Sequence, residues 1–242
     1  MTTGFDISSL LFLDPPEFLC KNCFYLLGSS TIREYDFENW FSCPECGKYH
    51  YNQNDFIKIT FADLISHSRK LASIGQLMEA NLKSGQVPPM RILLSALRNA
   101  QGFVHLTTYG MSHVLLGALK VVSQEIHVRG VVTNANEQLI DEINNHTDEN
   151  PGLELIPVAA TNDYRNADQI PHQKLIIIDG LLAFTGSANF TSTAWRKARQ
   201  GFEHVDVMTD IGRIQDIHNR LFCKTWLKLN PSSEYLKDEI PF

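Results

Sequence analysis

The chain has 242 residues, 43% hydrophobic and 20% charged, which predicts an ordinary globular protein with one sizeable domain and a small appendage. No apolar run reaches the roughly 18 residues that span a bilayer, so a transmembrane helix is excluded. A net charge of −6 argues against broad, non-specific nucleic-acid binding, which needs a basic surface, but leaves room for a local basic groove.

The N-terminus carries no Lys or Arg before the short apolar run Leu10–Leu13, unlike a secretory leader. This predicts a cytoplasmic chain with reduced thiols and no membrane anchor. Residues 18 to about 51 read as one unit: Cys20-x2-Cys23, then 19 residues, then Cys43-x2-Cys46. Two such tight turns can offer four thiolates to one tetrahedral ion, and the spacing is that of a zinc site. Four thiolates leave no open coordination position, so the expected Zn2+ is structural. A unit this small buries too little apolar surface to fold without it. The alternative is two disulfides or free thiols; a reducing compartment favours zinc. Cys223, alone in a helical pattern, reads as core.

From Asp63 to Ser84, Leu64, Leu71, Ile74, Leu77, Met78 and Leu82 recur at helical intervals, with Asp63 as N-cap. This predicts a connecting or dimer-contact helix, broken by Gly85 to Pro89. Thereafter helix and strand patterns alternate. Arg91–Ala100 is helical with Pro89 at its first position, Phe103–Tyr109 a strand, Ser112–Ser123 a helix and Ile126–Thr133 a strand. Glu137–Asn144 follows as helix and Leu153–Val158 as strand. Lys174–Ile178 is a continuous apolar run typical of a central strand, and Leu181–Thr185 pairs with it through the Asp179-Gly180 turn. Val205–Thr209 is a further strand and Ile211–Leu229 a closing helix. The class is α/β layered. Domain boundaries are expected at 1–58 (zinc ribbon), 59–89 (helix and linker) and 90–242 (catalytic domain). There is no internal repeat.

The chemistry sits in Pro171-His172-Gln173-Lys174-Leu175-Ile176-Ile177-Ile178-Asp179-Gly180, followed by Gly186-Ser187-Ala188-Asn189-Phe190. His172 and Lys174 are two apart and project from the same face of an extended segment. A neutral imidazole can attack phosphorus while an ammonium binds the non-bridging oxygens. Ser187 and Asn189, in a Gly-led turn after a strand, can supply further donors to a charged five-coordinate transition state.

This pair of elements resembles the phospholipase D superfamily, which carries H-x-K-x4-D followed by G-S-x-N. Among its members the chain is similar to the single-motif, nuclease-like branch, over roughly residues 90 to 230. The resemblance implies a mixed central sheet flanked by helices. It implies His172 as a nucleophile that forms a phosphohistidine, with Lys174 and Asn189 binding phosphoryl oxygens and Ser187 assisting. A family carboxylate that orients the nucleophile falls at Glu203, with Asp206 as fallback. Asp179 completes the motif in the role of holding it, which turn chemistry explains equally well.

The mechanism needs a second histidine to protonate the leaving oxygen. His105, His113, His127, His146, His204 and His218 lack the companion Lys and Asp. A two-fold homodimer that brings two copies of His172 together is the simplest solution. No metal is expected in the chemistry itself. Three substrate readings compete: a nuclease, a phospholipid (cardiolipin-type) hydrolase, and a non-catalytic nucleic-acid or protein-binding subunit. The ribbon favours a nuclease, as a site for nucleic acid or a protein partner, in a setting such as bacterial or antiviral defence. Arg165, Arg196, Lys197 and Arg199 are candidates for backbone contacts, and Tyr164 or Trp195 for stacking on an unpaired base. The basic cluster reads equally well as a solvated helix face.

Overall fold

The computed structural model describes residues 14–28, 41–50, 56–159 and 171–229. The N-terminal unit is built from very short strands. β1 (Pro16–Cys20) and β2 (Leu26–Gly28) form a hairpin around the first cysteine turn, and β3 (Phe41–Ser42) and β4 (Tyr49–His50) flank the second. β5 (Phe56–Lys58) pairs with the free edge of β1 and leads the chain into the main layers.

Among the described residues, two helices precede the main sheet, α1 (Leu64–Ser84) and α2 (Pro89–Arg98). The Asp63 carboxylate accepts from the Ser66 backbone N–H at the start of α1. The sheet itself has six strands: β6 (Phe103–Thr108), β7 (His127–Ala135), β8 (Leu153–Ala159), β9 (Leu175–Ile178), β10 (Leu182–Gly186) and β11 (Val205–Met208). Their spatial order is β11-β10-β9-β6-β7-β8. β6, β7 and β8 run parallel, linked by α3 (His113–Val122) and α4 (Glu137–Glu149). β9 is antiparallel to β6 and to β10, and β11 to β10, so the sheet is mixed. The short apolar β9 sits near the middle, buried on both faces, as its unbroken run of Leu and Ile requires.

Alternation along the strands sorts side chains into two cores. Val104, Leu106, Ile176, Ile178, Leu182 and Phe184 face helices α1 to α4 and α5 (Ser192–Arg199). The helix read from sequence as a connection also belongs to this core, through Leu71 and Met78. Phe103, Leu175, Ile177 and Ala183 face the ribbon and the C-terminal helices. The closing helix differs from expectation. α6 (Ile211–Ile217) and α7 (Lys224–Leu229) are separated by a π-helical turn, His218–Cys223. The wider turn brings three side chains to the ribbon side. His218 meets His105, Asn219 bonds both backbone groups of Leu26, and Cys223 packs against the four ribbon cysteines. No helix among the described residues is long and apolar enough to cross a membrane.

The contact beneath the ribbon is polar and buried. His218 Nδ1–H donates to Asn219 Oδ1 at 3.0 Å, which leaves His218 Nε2 to accept from His105 Nδ1–H at 2.8 Å. Both rings are fully buried, and burial without a carboxylate partner favours the neutral form of each, which this chain of bonds accommodates. Burial pushes His218 down to about 4, partly opposed by Asn219. Burial, with the nearby His218 and Arg129, holds His105 well below its ordinary value. Unfolded histidine titrates near 6.5, so from there down to about pH 4 the unfolded chain binds more protons than the folded one. Stability is therefore complete above pH 6.5 and lost as pH falls through that window, by roughly 3 kcal/mol for His218 alone. The melting temperature should fall steadily between pH 6.5 and 4.5; a flat profile there would contradict the neutral pair.

Candidate active site

The site forms at one end of the sheet, where β6 stops and β9 begins. This is the carboxyl end of the parallel strands, where open α/β sheets present their ligands. Thr133 Oγ1, near the end of β7, donates to Pro171 O at 2.9 Å and fixes the approach to β9. His172 is exposed at this mouth and Lys174 is buried beneath it. The Lys174 ammonium lies 2.8 Å from His172 Nδ1, 3.2 Å from Nε2 and 2.8 Å from the His172 carbonyl oxygen. Tyr109, just past β6, packs its ring 4.2 Å from the imidazole centroid and 5.3 Å from the Lys174 ammonium.

The electrostatics favour a neutral ring. Partial burial and the adjacent Lys174 charge both hold the His172 pKa below its ordinary value. Imidazole must be neutral to attack, so the nucleophilic form persists at and somewhat below pH 6.5. Burial also lowers Lys174, while Glu203 opposes that shift and keeps the ammonium charged.

The second motif element hangs from the end of β10. Gly186 has φ +147°, and a Cβ there would lie 2.2 Å from the His204 carbonyl oxygen, so only glycine fits. That closeness lets Ser187 N–H and Ala188 N–H donate to His204 O at 3.0 and 3.3 Å. The Ser187 hydroxyl donates to Glu203 Oε2 at 2.5 Å and accepts from His204 N–H at 2.9 Å. Asn189 lies beside Gly110, where an added Cβ would be 3.6 Å from its Nδ2. Its Oδ1 is buried with no hydrogen-bond partner among the described residues. Met111 forms a parallel bridge with Phe190, and Ser112 N–H donates to Phe190 O at 3.1 Å. Consecutive residues Tyr109 and Gly110 thus lie beside His172 and Asn189 respectively, and link the two motif elements.

The remaining expectations divide. Glu203 sits by the site, but its hydrogen bond is to Ser187, and its effect on Lys174 is through charge. Asp206 pairs instead with the His204 ring at 2.9 Å, both exposed. Asp179 lies at the far end of β9 from His172, fully buried. It accepts from His67 Nε2 at 2.6 Å and from the backbone N–H groups of Gln101, Gly102 and Phe103 at 2.8 to 2.9 Å. It therefore holds the motif strand and does not touch the site. Trp195 needs correction as a stacking residue. It is 1% exposed and packs against Phe184 and Phe190, because the face of α5 that carries it closes the core. Arg196 and Lys197 are exposed on the opposite face of α5, and Arg199 is half-buried. Tyr164 and Arg165 lie outside the described residues.

Reading from sequence passed over Tyr109 and Gly110. The signal available was positional: a Tyr-Gly pair between the carboxyl end of a strand and the Ser112 N-cap of the next helix.

At the other pole, the sulfurs of Cys20, Cys23, Cys43 and Cys46 all lie within 4.8 Å of one another. Cys20 and Cys46 are 3.8 Å apart, and Cys23 and Cys43 3.6 Å. Four sulfurs at ordinary metal–thiolate distances around a tetrahedron sit about 3.8 Å apart, so the cluster can hold a metal ion. Neighbouring thiols, Cys20 foremost, push Cys23 and Cys43 up, and burial adds to this. A cation would reverse that, since it binds the thiolate.

The sequence profile of the family described as "Cardiolipin synthase, PLD-like domain" matches residues 93–226. Among solved structures, the chain is similar to NucT from Helicobacter pylori, at 20% identity and TM-score 0.42, over 69% of this chain and 92% of that one. It is similar to Nuc, a phospholipase D family member from Salmonella typhimurium, at 19% identity and TM-score 0.43, over 57% and 87%. A third is TrmBL2, an archaeal chromatin protein with a novel mode of DNA binding, at 17% identity and TM-score 0.40, over 68% and 62%. No curated protein matches the chain.

Proposed function

The chain belongs to the phospholipase D-like family, and on that premise we propose that it is a metal-independent phosphodiesterase that cleaves nucleic acid at a site shared by two copies. The observation that carries this reading is the exposed His172 ring within 2.8 Å of the buried Lys174 ammonium, linked through Tyr109 and Gly110 to Asn189, whose amide oxygen has no partner among the described residues. Until substrate arrives, Lys174 favours the unprotonated ring in the attacking copy, while the paired titration leaves the second copy's ring with the proton. A phosphoryl oxygen then takes over the ammonium as partner, and frees the imidazole lone pair. The Asn189 amide turns either its NH2 or its oxygen inward by rotating about χ2, so its buried end can donate to a second oxygen.

A His172 nitrogen attacks phosphorus as the bond to the leaving oxygen breaks. A protonated His172 of a second copy gives that oxygen its proton. Now neutral, the same ring takes a proton from water as the water attacks phosphorus and the P–N bond breaks, which restores both histidines. The two rings titrate as a pair. Ser187 and Glu203 act together: Glu203 orients the hydroxyl that lines the donor loop and supports the Lys174 charge.

We assign the four-cysteine cluster to structural Zn2+, on the fit of its sulfur spacings and because all four donors would be thiolates. The ribbon, residues 1–58, then stands as a metal-dependent unit docked on the catalytic domain, 90–242.

The test is a substrate panel of single- and double-stranded DNA and RNA and cardiolipin, with His172→Ala as control, alongside sedimentation. Cleavage of nucleic acid that depends on His172 and survives short exposure to EDTA, by a dimer, is the expected result. Turnover of cardiolipin alone would overturn the nucleic-acid reading. An immediate requirement for magnesium would overturn the mechanism, and full activity in a dilute monomer would overturn the shared site.

A further inference from the structure

Helices α2, α3 and α5 read PMRILLSALR, HVLLGALKVV and STAWRKAR. In a chain with 27 acidic residues, these three contain no Asp or Glu, yet they carry Arg91, Arg98, Lys120, Arg196, Lys197 and Arg199. α2 packs against both α3 and α5, so the three helices bring these cations together on an otherwise anionic molecule; a carboxylate bonded to these helices is Glu142 of α4, on His113 at the start of α3. A groove of about 410 Å³ opens among the three. Pro89, Leu94 and Val114 line it with apolar surface, and Arg91, Arg196 and Arg199 surround it with guanidinium groups. Among the described residues Val114 is 57% exposed, an aliphatic side chain open on the groove. Arg199 also reaches the Gly85 carbonyl at 3.5 Å, which steadies its position on the rim.

The groove adjoins the active site through the chain itself. Ser192, on its wall, is three residues past Asn189, at most about 10 Å of backbone. Val114 follows the Met111–Ser112 segment that is bonded to Phe190. Cations alone would serve any anion. Cations around an exposed apolar floor suit a ligand with phosphate on one side and a flat, apolar-faced group on the other. A base-paired strand keeps its bases inside the duplex and has nothing to lay on that floor.

We infer that this groove seats an unpaired nucleotide of the strand flanking the scissile phosphodiester, its phosphate on Arg91, Arg196 and Arg199 and its base over Leu94 and Val114. This rests on the nucleic-acid reading given above and specifies its strand state. Arg91 is the residue it adds to the substrate contacts.

The experiment compares wild type, Arg91→Ala and Val114→Ser on three substrates: a single-stranded oligonucleotide, its blunt duplex, and bis(p-nitrophenyl) phosphate. The last reaches the chemistry but cannot fill the groove. Both changes are at exposed helical positions, and alanine is the better helix former. Arg91→Ala should lower kcat/KM on the oligonucleotide relative to the small diester by about tenfold. It should also reduce the log–log salt slope by about 0.7. Val114→Ser should lower that ratio for the single strand and leave the duplex ratio in place. Ratios unchanged in both variants would overturn the groove while His172-dependent cleavage left the broader reading standing. Equal losses on duplex and single strand with Val114→Ser would overturn the seated base. An equal loss for Arg91→Ala on cardiolipin vesicles would make the groove a lipid-headgroup site. Wild type that cleaves neither nucleic acid nor the small diester would instead sink the underlying reading.

Discussion

His172→Ala should lower phosphodiesterase turnover by about 10⁴-fold or more, with fold and assembly unchanged. In the proposed mechanism this ring supplies the only bond made to phosphorus in the first step and, from the other copy, the proton for the leaving oxygen. Both roles vanish together in a symmetric variant, so the loss should resemble that of a nucleophile and not of an assisting group. Stability should change little. The ring is exposed, and Lys174 keeps its bond to the residue-172 carbonyl oxygen, which belongs to the backbone. Measured rates on a small diester, with circular dichroism and sedimentation as controls, check the claim. Wild-type turnover from a clean preparation of the variant would reject it.

Asp179→Ala should have its large effect on stability instead, a loss of about 4 kcal/mol. The carboxylate takes four hydrogen bonds in a fully buried place: one from His67 on α1 and three from successive N–H groups at the entry to β6. Removing it strands buried donors, each worth roughly 1–3 kcal/mol, against a total stability of about 5–15 kcal/mol. The turn is affected too. Asp179 has φ +57° and Gly180 φ +68°, a conformation that Asp tolerates better than Ala. Denaturant unfolding should show the drop, while kcat measured where the variant is still folded stays near wild type. Unchanged stability with lost kcat would move Asp179 into the chemistry.

Much of this was legible in the sequence because its signals are local. The run Leu175–Ile178 is typical of a central strand, and the 3.6-residue pattern around Leu71 and Met78 marks a helix, though not which partner its apolar stripe meets. The pairing of Gly186 with Ser187 and Asn189 reflects a steric demand, the carbonyl of His204 at 2.2 Å from any Cβ. What sequence did not reveal depends on distant partners. Trp195 resembles an exposed aromatic among basic residues until α5 is laid on the sheet, whereupon its face closes over Phe184 and Phe190. The π-turn at His218–Cys223 has no local cue, because it exists to meet His105 and Leu26 from the far end of the chain. Tyr109 becomes a site residue only when β6 and β9 lie side by side.

The most direct examination of the nucleophile is mass spectrometry of enzyme quenched without acid during turnover of a slowly hydrolysed diester. The account requires a phosphoryl adduct on the His172 ring that appears and decays with turnover and is missing from His172→Ala. Rapid cleavage with the ring unmodified throughout, or with the adduct on another side chain, would contradict it.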